Sequence, residues 1–276
     1  TEYILNFSDI ESDNNKDWVS FSDPSSIDKP DERKSLFENR VIKNFNDISD
    51  QDINYPNEND WTSWRRTPLG FGYSPLKQIN KENVQKLKLS WSLTMNEGSN
   101  QGTPLISQGV MFLTHPGNMI QALNAANGKL MWEYKYPYPK DSMLLGGPTK
   151  NIAIYKDKVY MATYDAALIA LDIRTGKLLW KNIKADYKDG YTHSSGPIIA
   201  NGVVISGING CERYIEDGCF ITGHDPDSGK ELWRTSTVAL SGDINGSSWG
   251  NTPDIFRAGS DPSPRGRPVA ELNRHP

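Results

Sequence analysis

The chain has 276 residues, a formal net charge of −4 with both signs well mixed, and 10% aromatic residues that include 8 tryptophans. This length allows one or two domains, and the mixed charge argues against a nucleic-acid partner. No apolar run approaches the ~18 residues of a membrane-spanning helix, so we expect no transmembrane segment. The sequence begins at Thr1 without an initiator Met or a signal peptide, and we interpret it as a mature or truncated product.

The first part of the chain, residues 1–57, is polar, rich in Asp, Asn and Ser, and without clear hydrophobic periodicity. We interpret it as an N-terminal extension that either wraps the rest of the protein or is loosely ordered. A short helix is predicted around residues 30–44, because Leu36, Phe37 and Val41 share one helical face.

The composition changes at Asp60, where the letters DWTSWRRT are followed closely by GFGYSPL. Asn80 then suits the N-cap of a single helical turn. In that turn we expect Val84 and Leu87 to face inward. A strand is predicted to follow and to end at Trp91.

One motif recurs three times: ALNAANGKLMW ends at Trp132, ALDIRTGKLLW at Trp180 and GHDPDSGKELW at Trp233. The tryptophans lie 48 and 53 residues apart, which indicates a repeat fold. Each copy predicts an apolar strand, a turn with an Asx side chain and a glycine at positive φ, and a second strand closed by Trp. Such units bury both faces only by stacking on neighbours, so the repeats predict an all-β fold, a β-propeller of four-stranded blades. We interpret the tryptophans as packing residues that carry no chemistry.

A glycine-rich run, SGINGCE, extends from Ser206 to Glu212 and directly follows a predicted strand, VVI. It should therefore lie at a face of the propeller. A turn that presents one carboxylate suits a hard cation such as Ca²⁺, which prefers oxygen ligands. On the residues alone, a solvated loop acid is the stronger interpretation of Glu212.

The chain has two cysteines, Cys211 and Cys219, which lie close together across a polar loop. This spacing suggests a disulfide and an oxidising compartment. A reduced pair in a cytosolic protein is the alternative.

The segment beginning at Asp60, the run GTPL and the three Trp motifs together resemble the quinoprotein alcohol dehydrogenases, the methanol and ethanol dehydrogenase family. That family uses pyrroloquinoline quinone (PQQ) and calcium to oxidise alcohols. The resemblance extends from about Asp60 to Asp261. It implies that residues 58–261 are three to four blades of an eight-bladed propeller, truncated to about its first half.

The same resemblance implies a small alcohol substrate, cytochrome c or a similar electron acceptor, and a periplasmic location. Non-enzymatic propellers share the Trp motifs. The alternative is therefore a non-catalytic PQQ-like propeller that acts as an assembly scaffold in the cell envelope.

The resemblance also implies roles for individual residues in a cofactor site. Glu212 matches the family's calcium ligand, and Asn209 and Gly210 match positions at the carboxylate edge of the quinone. Cys211, which lies between Gly210 and Glu212, is also expected to bind the cofactor. The hydroxyl of Ser194 is expected on a cofactor carboxylate.

Two further positions depart from the family pattern. Lys150 stands where other members have an Arg that would stabilise the reduced quinone, and Lys is a flexible point charge rather than a planar fork. Gln101 stands where some members have a cofactor-contacting Glu. Both are expected to bind the cofactor; the alternative is that they are ordinary surface residues.

Leu144 and Leu145 occupy the place of the adjacent cysteines that cover the quinone in methanol-oxidising members. The cysteine pair of this chain is Cys211 and Cys219, and their disulfide is expected to rigidify the loop beside the calcium ligand.

The last stretch, residues 262–276, does not follow the blade pattern. The three prolines within residues 262–268 are incompatible with a central strand, and we interpret the stretch as an atypical tail that is a misread or recombined end. The family's catalytic Asp is expected beyond Pro276. We therefore expect little or no dehydrogenase activity from this chain alone.

Overall fold

The computed structural model describes residues 41–142, 149–210 and 219–257. Their strands form three four-stranded antiparallel sheets, and neighbouring strands in each sheet are consecutive in sequence. This arrangement confirms the predicted all-β propeller blades. The strands are β1 Leu105–Ser107, β2 Val110–His115, β3 Met119–Asn124, β4 Leu130–Lys135, β5 Ala153–Tyr155, β6 Lys158–Ala162, β7 Ala167–Asp172, β8 Leu178–Ile183, β9 Ile198–Ala200, β10 Val203–Ser206, β11 Phe220–His224 and β12 Glu231–Ser236.

Helical structure in the described residues is confined to short segments that connect or flank the sheets. One is a capped α-helix and the others are 3₁₀ turns. They are α1 Asp50–Asn54 and the 3₁₀ segments Val84–Lys86, Tyr187–Asp189, Gly246–Trp249 and Asp254–Phe256.

The turn in each Trp motif has the predicted chemistry. In the second copy, Oδ1 of Asp172 accepts hydrogen bonds from the backbone N–H groups of Arg174 and Thr175 at 3.1 and 2.7 Å. Gly176 closes the turn with φ +69°. The same Asx bonds and the same positive φ recur in the other two copies, so each repeat folds by one local rule.

Adjacent sheets are joined by a tryptophan of one sheet that packs on the turn glycine of the next. The indole N–H of Trp132 donates to the carbonyl of Ile173 at 2.9 Å, and a Cβ built on Gly176 would lie 2.6 Å from the Trp132 ring. The relation recurs twice, with Trp91 on the turn at Gly128 and Trp180 on the turn at Gly229. The motif glycine therefore provides both the backbone conformation and the space for the neighbouring ring.

The strand order defines two faces. The upper face holds the turns after β2, β6 and β10 and the connections between sheets. The lower face holds the turns after β1, β5 and β9 and the Trp-motif turns. Between them, a continuous apolar core that includes Phe112, Trp132, Tyr160 and Leu168 links the sheets.

Residues 41–54 form a strap across the lower face. Ile48 makes a backbone bridge with Lys156, in the turn after β5, and its side chain is 1% exposed. Asp50 reaches the turn after β9, where its Oδ1 accepts from the N–H of Gly202 at 3.1 Å. Phe45 packs edge-on against Phe112, with ring centroids 6.1 Å apart. The strap thus follows the wrapping alternative for the N-terminal extension.

Three local predictions differ from the structure. Residues 41–44, the described end of the predicted 30–44 helix, are not helical, and Asn44 has φ +57°. Residues 30–40 lie outside the described part. Val84 is 46% exposed rather than facing inward, because its turn lies beside the sheets and not on them. No strand is described over 88–98, since no neighbouring strand pairs with it there, although Trp91 still docks on the next sheet.

The strap prediction concerns Ile48. We expect Ile48→Ala to lower the free energy of unfolding by about 2–5 kcal/mol, because it empties a fully buried site between the strap and the lower face. Ile244, which is 99% exposed, offers the matched control. Ile244→Ala should change the free energy of unfolding by less than about 0.5 kcal/mol in urea titrations. Equal effects of the two substitutions would contradict the packing role of the strap.

The glycine prediction compares Gly176 with Gly109, which both have positive φ, +69° and +77°. A Cβ on Gly109 meets nothing within 4 Å, whereas one on Gly176 enters the Trp132 ring. We expect Gly109→Ala to cost about 1 kcal/mol of conformational strain and Gly176→Ala about 2 kcal/mol more. Chemical denaturation monitored by circular dichroism measures both, and similar losses would show that the docking contact contributes little.

Candidate cofactor site on the upper face

The predicted cofactor residues that the structure describes lie at the upper ends of the sheets. Gln101 precedes β1, Lys150 precedes β5 and Ser194 precedes β9, while Asn209 follows β10. The first strand of each sheet runs downward from this face, and β10 runs upward to it. Residues from three sheets are therefore brought to one face by the strand order.

Hydrogen bonds link three of these residues, Lys150, Ser194 and Asn209, and Gly102 lies beside them. The backbone N–H of Lys150 donates to the carbonyl of Ser194 at 3.3 Å. The N–H and the Oγ of Ser194 both donate to Oδ1 of Asn209, at 3.2 and 3.3 Å. A Cβ on Gly102, the neighbour of Gln101, would lie 3.2 Å from the Lys150 carbonyl. The tertiary structure thus places side by side positions that are far apart in sequence.

The backbone around Asn209 is held by its own bridge. Asn209 exchanges two backbone hydrogen bonds with Thr192, at 3.1 and 2.9 Å. The Oγ1 of Thr192 donates to the carbonyl of Tyr164 at 2.8 Å. Gly210 has φ +110°, and a Cβ there would lie 2.4 Å from the carbonyl oxygen of Gly190, so this position requires glycine. The loop at residues 207–210, which follows β10, is therefore rigidly placed.

A buried lysine and histidine lie directly beneath this loop. Lys184 is 4% exposed, and its Nζ donates to the carbonyls of Ser206 and Gly207 at 2.9 and 2.6 Å. Burial, with the nearby cation of Arg234, lowers the pKa of Lys184 to about 7. The Nζ also lies 3.4 Å from Nε2 of His193.

His193 is held as a neutral imidazole. Its Nδ1 lies 2.9 Å from the Thr163 carbonyl and acts as the donor there, which leaves Nε2 as the acceptor toward Lys184. Burial, with the charge of Lys184, lowers the pKa of His193 to about 3. The ring connects the turn after β6 with Lys184 and, through Lys184, with the loop at residues 207–210.

A buried carboxylate joins the first and second sheets on the same face. Oδ2 of Asp165 accepts from the hydroxyl of Tyr136 at 2.7 Å and from Nζ of Lys181 at 3.0 Å. Burial raises the pKa of Asp165, but hydrogen bonds from Thr163, Tyr136 and Lys181 more than offset this and hold the pKa below its usual value. Asp165 is thus an ionised tie between sheets.

The donor set on the upper face suits an anionic, oxygen-rich cofactor. A hydroxyl, an amide and an ammonium, from Ser194, Asn209 and Lys150, can all donate to carboxylate or quinone oxygens. The residues present therefore fit PQQ.

The predicted residues Cys211 and Glu212, and the Leu144–Leu145 cover, lie outside the described residues. Within the described ranges there is no group of three or more His, Cys, Asp or Glu side chains that could hold a metal ion. Cys219 is buried, and its disulfide with Cys211 stays a prediction. None of the described helices has the length and apolar character to span a bilayer.

Sequence reasoning missed Lys184, His193 and Asp165. Lysine and aspartate are mostly exposed in proteins, so no local pattern marks these as buried. The one sequence signal was that His193 directly precedes Ser194, a predicted cofactor-binding residue. That position did not indicate that the His193 ring contacts Lys184, which supports the backbone after β10.

The His193 prediction concerns the pH dependence of stability. The folded pKa of about 3 lies below the ordinary value of 6.5, so between these values the unfolded chain binds a proton that the folded chain does not. Stability should therefore fall as the pH drops through this window, by up to about 1.4 kcal/mol per pH unit from this group. His193→Gln should remove that part of the slope.

The matched control is Lys177→Gln, at an exposed position on a lower-face turn. Urea unfolding at about pH 4, 5 and 6 should give the wild-type slope for this variant. An unchanged slope in His193→Gln would contradict the buried neutral state of the ring.

Comparison with known proteins supports the same assignment. Residues 61–255 match the PQQ family described as the β-propeller domain of glucose, ethanol and alcohol dehydrogenases. The chain is 40% identical over 190 residues to the dehydrogenase subunit of a quinone alcohol dehydrogenase from Gluconobacter oxydans, which covers 65% of this chain and 25% of the relative. It is 36% identical over 188 residues to the quinohemoprotein alcohol dehydrogenase ADH-IIG of Pseudomonas putida, with the same two coverages. The chain thus spans about a quarter of the length of these relatives.

Solved structures agree with the sequence comparison. The structure of the Pseudomonas putida quinohemoprotein alcohol dehydrogenase ADH-IIG has a TM-score of 0.62 and 31% identity, and covers 74% of this chain and 31% of its own. A europium-containing methanol dehydrogenase has a TM-score of 0.63 and 25% identity, and covers 68% of this chain and 34% of its own. Together with the repeats, the sheet order and the Trp docking, these matches show that this chain belongs to the PQQ-dependent quinoprotein alcohol dehydrogenase family.

Proposed function

We propose that this chain is the N-terminal part of a PQQ- and calcium-dependent alcohol dehydrogenase that oxidises small alcohols to aldehydes. The observation that carries the proposal is the chain of contacts from Gly102 through Lys150 and Ser194 to Asn209 on the upper face. It collects hydrogen-bond donors from separate sheets at one place. The names of the relatives, quinone and quinohemoprotein alcohol dehydrogenases, support the substrate class.

In this proposal each residue has a binding or orienting role. Ser194 and Asn209 donate to the carboxylates of the cofactor, and Gly210 lets the backbone turn closely beside them. Lys150 supplies a positive charge near the quinone oxygens, and Gln101 supplies a neutral hydrogen bond. The quinone, when bound, supplies the redox chemistry by accepting a hydride from the alcohol.

Calcium is assigned to Glu212 in the same proposal. Its carboxylate, two residues after Gly210 in the sequence, is an oxygen ligand of the kind that calcium prefers. Cys211 lies next to it, and a Cys211–Cys219 disulfide would restrain the loop. Because disulfides persist in oxidising compartments, we also propose a periplasmic location, with cytochrome c or a similar protein as the electron acceptor.

We further propose that this chain alone has little or no dehydrogenase activity. Alcohol oxidation needs a base that takes the hydroxyl proton, and no residue of this chain is assigned that role. A dye-reduction assay with a primary alcohol, PQQ and Ca²⁺ tests this. Sustained turnover would contradict it.

The binding prediction uses tryptophan fluorescence. PQQ added with Ca²⁺ should quench the fluorescence of the chain saturably, and a calcium chelator should weaken the binding. Asn209→Ala should weaken PQQ binding about three- to tenfold, the equivalent of one or two hydrogen bonds. Asn127→Ala, at an exposed position on a lower-face turn, is the control and should bind as the wild type does. Absence of calcium-dependent quenching in the wild-type chain would favour the scaffold alternative.

A further inference from the structure

The ammonium group of Lys184 is buried without a carboxylate partner in the described part of the chain. Its four polar neighbours are the carbonyls of Ser206 and Gly207, the Ser206 hydroxyl at 3.2 Å and the His193 ring. All are neutral. Glu231, the acid whose charge favours the Lys184 cation, is itself hydrogen-bonded to Arg234 at 2.8 and 2.9 Å.

Burying this amine is costly for stability, because hydrogen bonds to neutral acceptors replace only part of its hydration. An apolar residue would avoid the cost if the position served packing alone. The local contacts of Lys184 therefore have to account for a hydrogen-bond donor here.

Those contacts are with two stems, the end of β10 at Ser206 and Gly207 and the start of β11 at Phe220. At the first stem, Nζ donates to the carbonyls of Ser206 and Gly207. At the second stem, two cations lie close to the Phe220 ring, with Lys184 Nζ at 5.7 Å and Arg234 Cζ at 4.0 Å from its centroid. Arg234 Nη2 also donates to the Lys184 carbonyl at 3.0 Å, which joins the two cations into one cluster.

The first stem leads directly into two residues proposed to bind the cofactor, Asn209 and Gly210. Asn209 follows Gly207 by two residues, and its Oδ1 is already engaged by Ser194. A shift of the first stem would move Asn209 and Gly210 together, because the intervening backbone is short.

We propose that Lys184 is a positioning residue for the loop at residues 207–210: its amino group holds the Ser206 and Gly207 carbonyls at the end of β10 beside the Phe220 ring and so sets where Asn209 and Gly210 lie. This rests on the proposed function, in which the loop binds PQQ. Lys184 touches neither substrate nor cofactor in this proposal, and it acts through Ser206, Gly207 and Phe220.

The test uses the full chain with Lys184→Met, which keeps the length of the side chain and removes its donors. The Ser206 and Gly207 carbonyls then lose their partner, and we expect the loop to loosen. Hydrogen exchange followed by mass spectrometry should show faster exchange at Asn209, whose N–H now donates to Thr192 at 2.9 Å. PQQ affinity, measured by fluorescence quenching with Ca²⁺, should fall by about tenfold.

Two further variants keep the test decisive. Lys177→Met removes an exposed lysine on the lower-face turn before β8 and should leave exchange at Asn209 and PQQ affinity unchanged. Lys184→Gln retains one neutral donor and should give an intermediate effect on both. If Lys184→Met does not fold, Lys184→Gln decides.

The outcomes separate this inference from the proposed function. The deciding variant is Lys184→Met, or Lys184→Gln if Lys184→Met does not fold. Unchanged exchange at Asn209 together with unchanged PQQ affinity in that variant would overturn the positioning role. Lower stability of the variant with an unchanged PQQ affinity of its folded form would overturn it as well. If the wild-type chain does not bind PQQ, the proposed function fails, and exchange at Asn209 alone then decides whether Lys184 positions the loop.

Discussion

The docking of a tryptophan on a neighbouring turn glycine is the interaction on which the rest of the structure depends. The indole of Trp132 lies over Gly176 and donates its N–H to Ile173, and the same contact recurs between other pairs of units. A sheet in this fold is apolar on both faces and is stable only when both are covered. Each contact covers one face and fixes the position of the next sheet. Trp233 has no described turn beyond it, and it is 39% exposed.

This docking determines where chemistry can be placed. Because each sheet has four antiparallel strands in sequence order, the connections between sheets return to the upper face. The strap occupies the lower face, and the docking fixes how neighbouring sheets stack. Lys150 and Ser194 lie in successive connections and meet through a backbone hydrogen bond. A site of this kind needs no single strand that carries several functional residues. It needs a constant sheet geometry that brings one residue from each unit to a common edge.

The buried polar groups of the upper face show how that edge is kept rigid. Asp165 joins the first two sheets through Tyr136 and Lys181, and His193 joins the turn after β6 to Lys184. Groups of this kind are costly to bury and are stable only when they are fully hydrogen-bonded. Their concentration beneath the proposed cofactor loop is consistent with a part of the molecule in which fixed geometry has been selected over simple apolar packing.

The sequence by itself determined the repeat, the turn chemistry and the family. The glycine at positive φ and the Asx side chain act within a few residues of each other, and local sequence patterns are informative under that condition. It did not determine that Lys184 is buried, that Val84 is exposed or that Trp91 docks without a strand. Only the tertiary structure decided these points, because burial depends on neighbours that are distant in the chain. For the same reason the convergence of Lys150, Ser194 and Asn209 became visible only when the sheets were stacked.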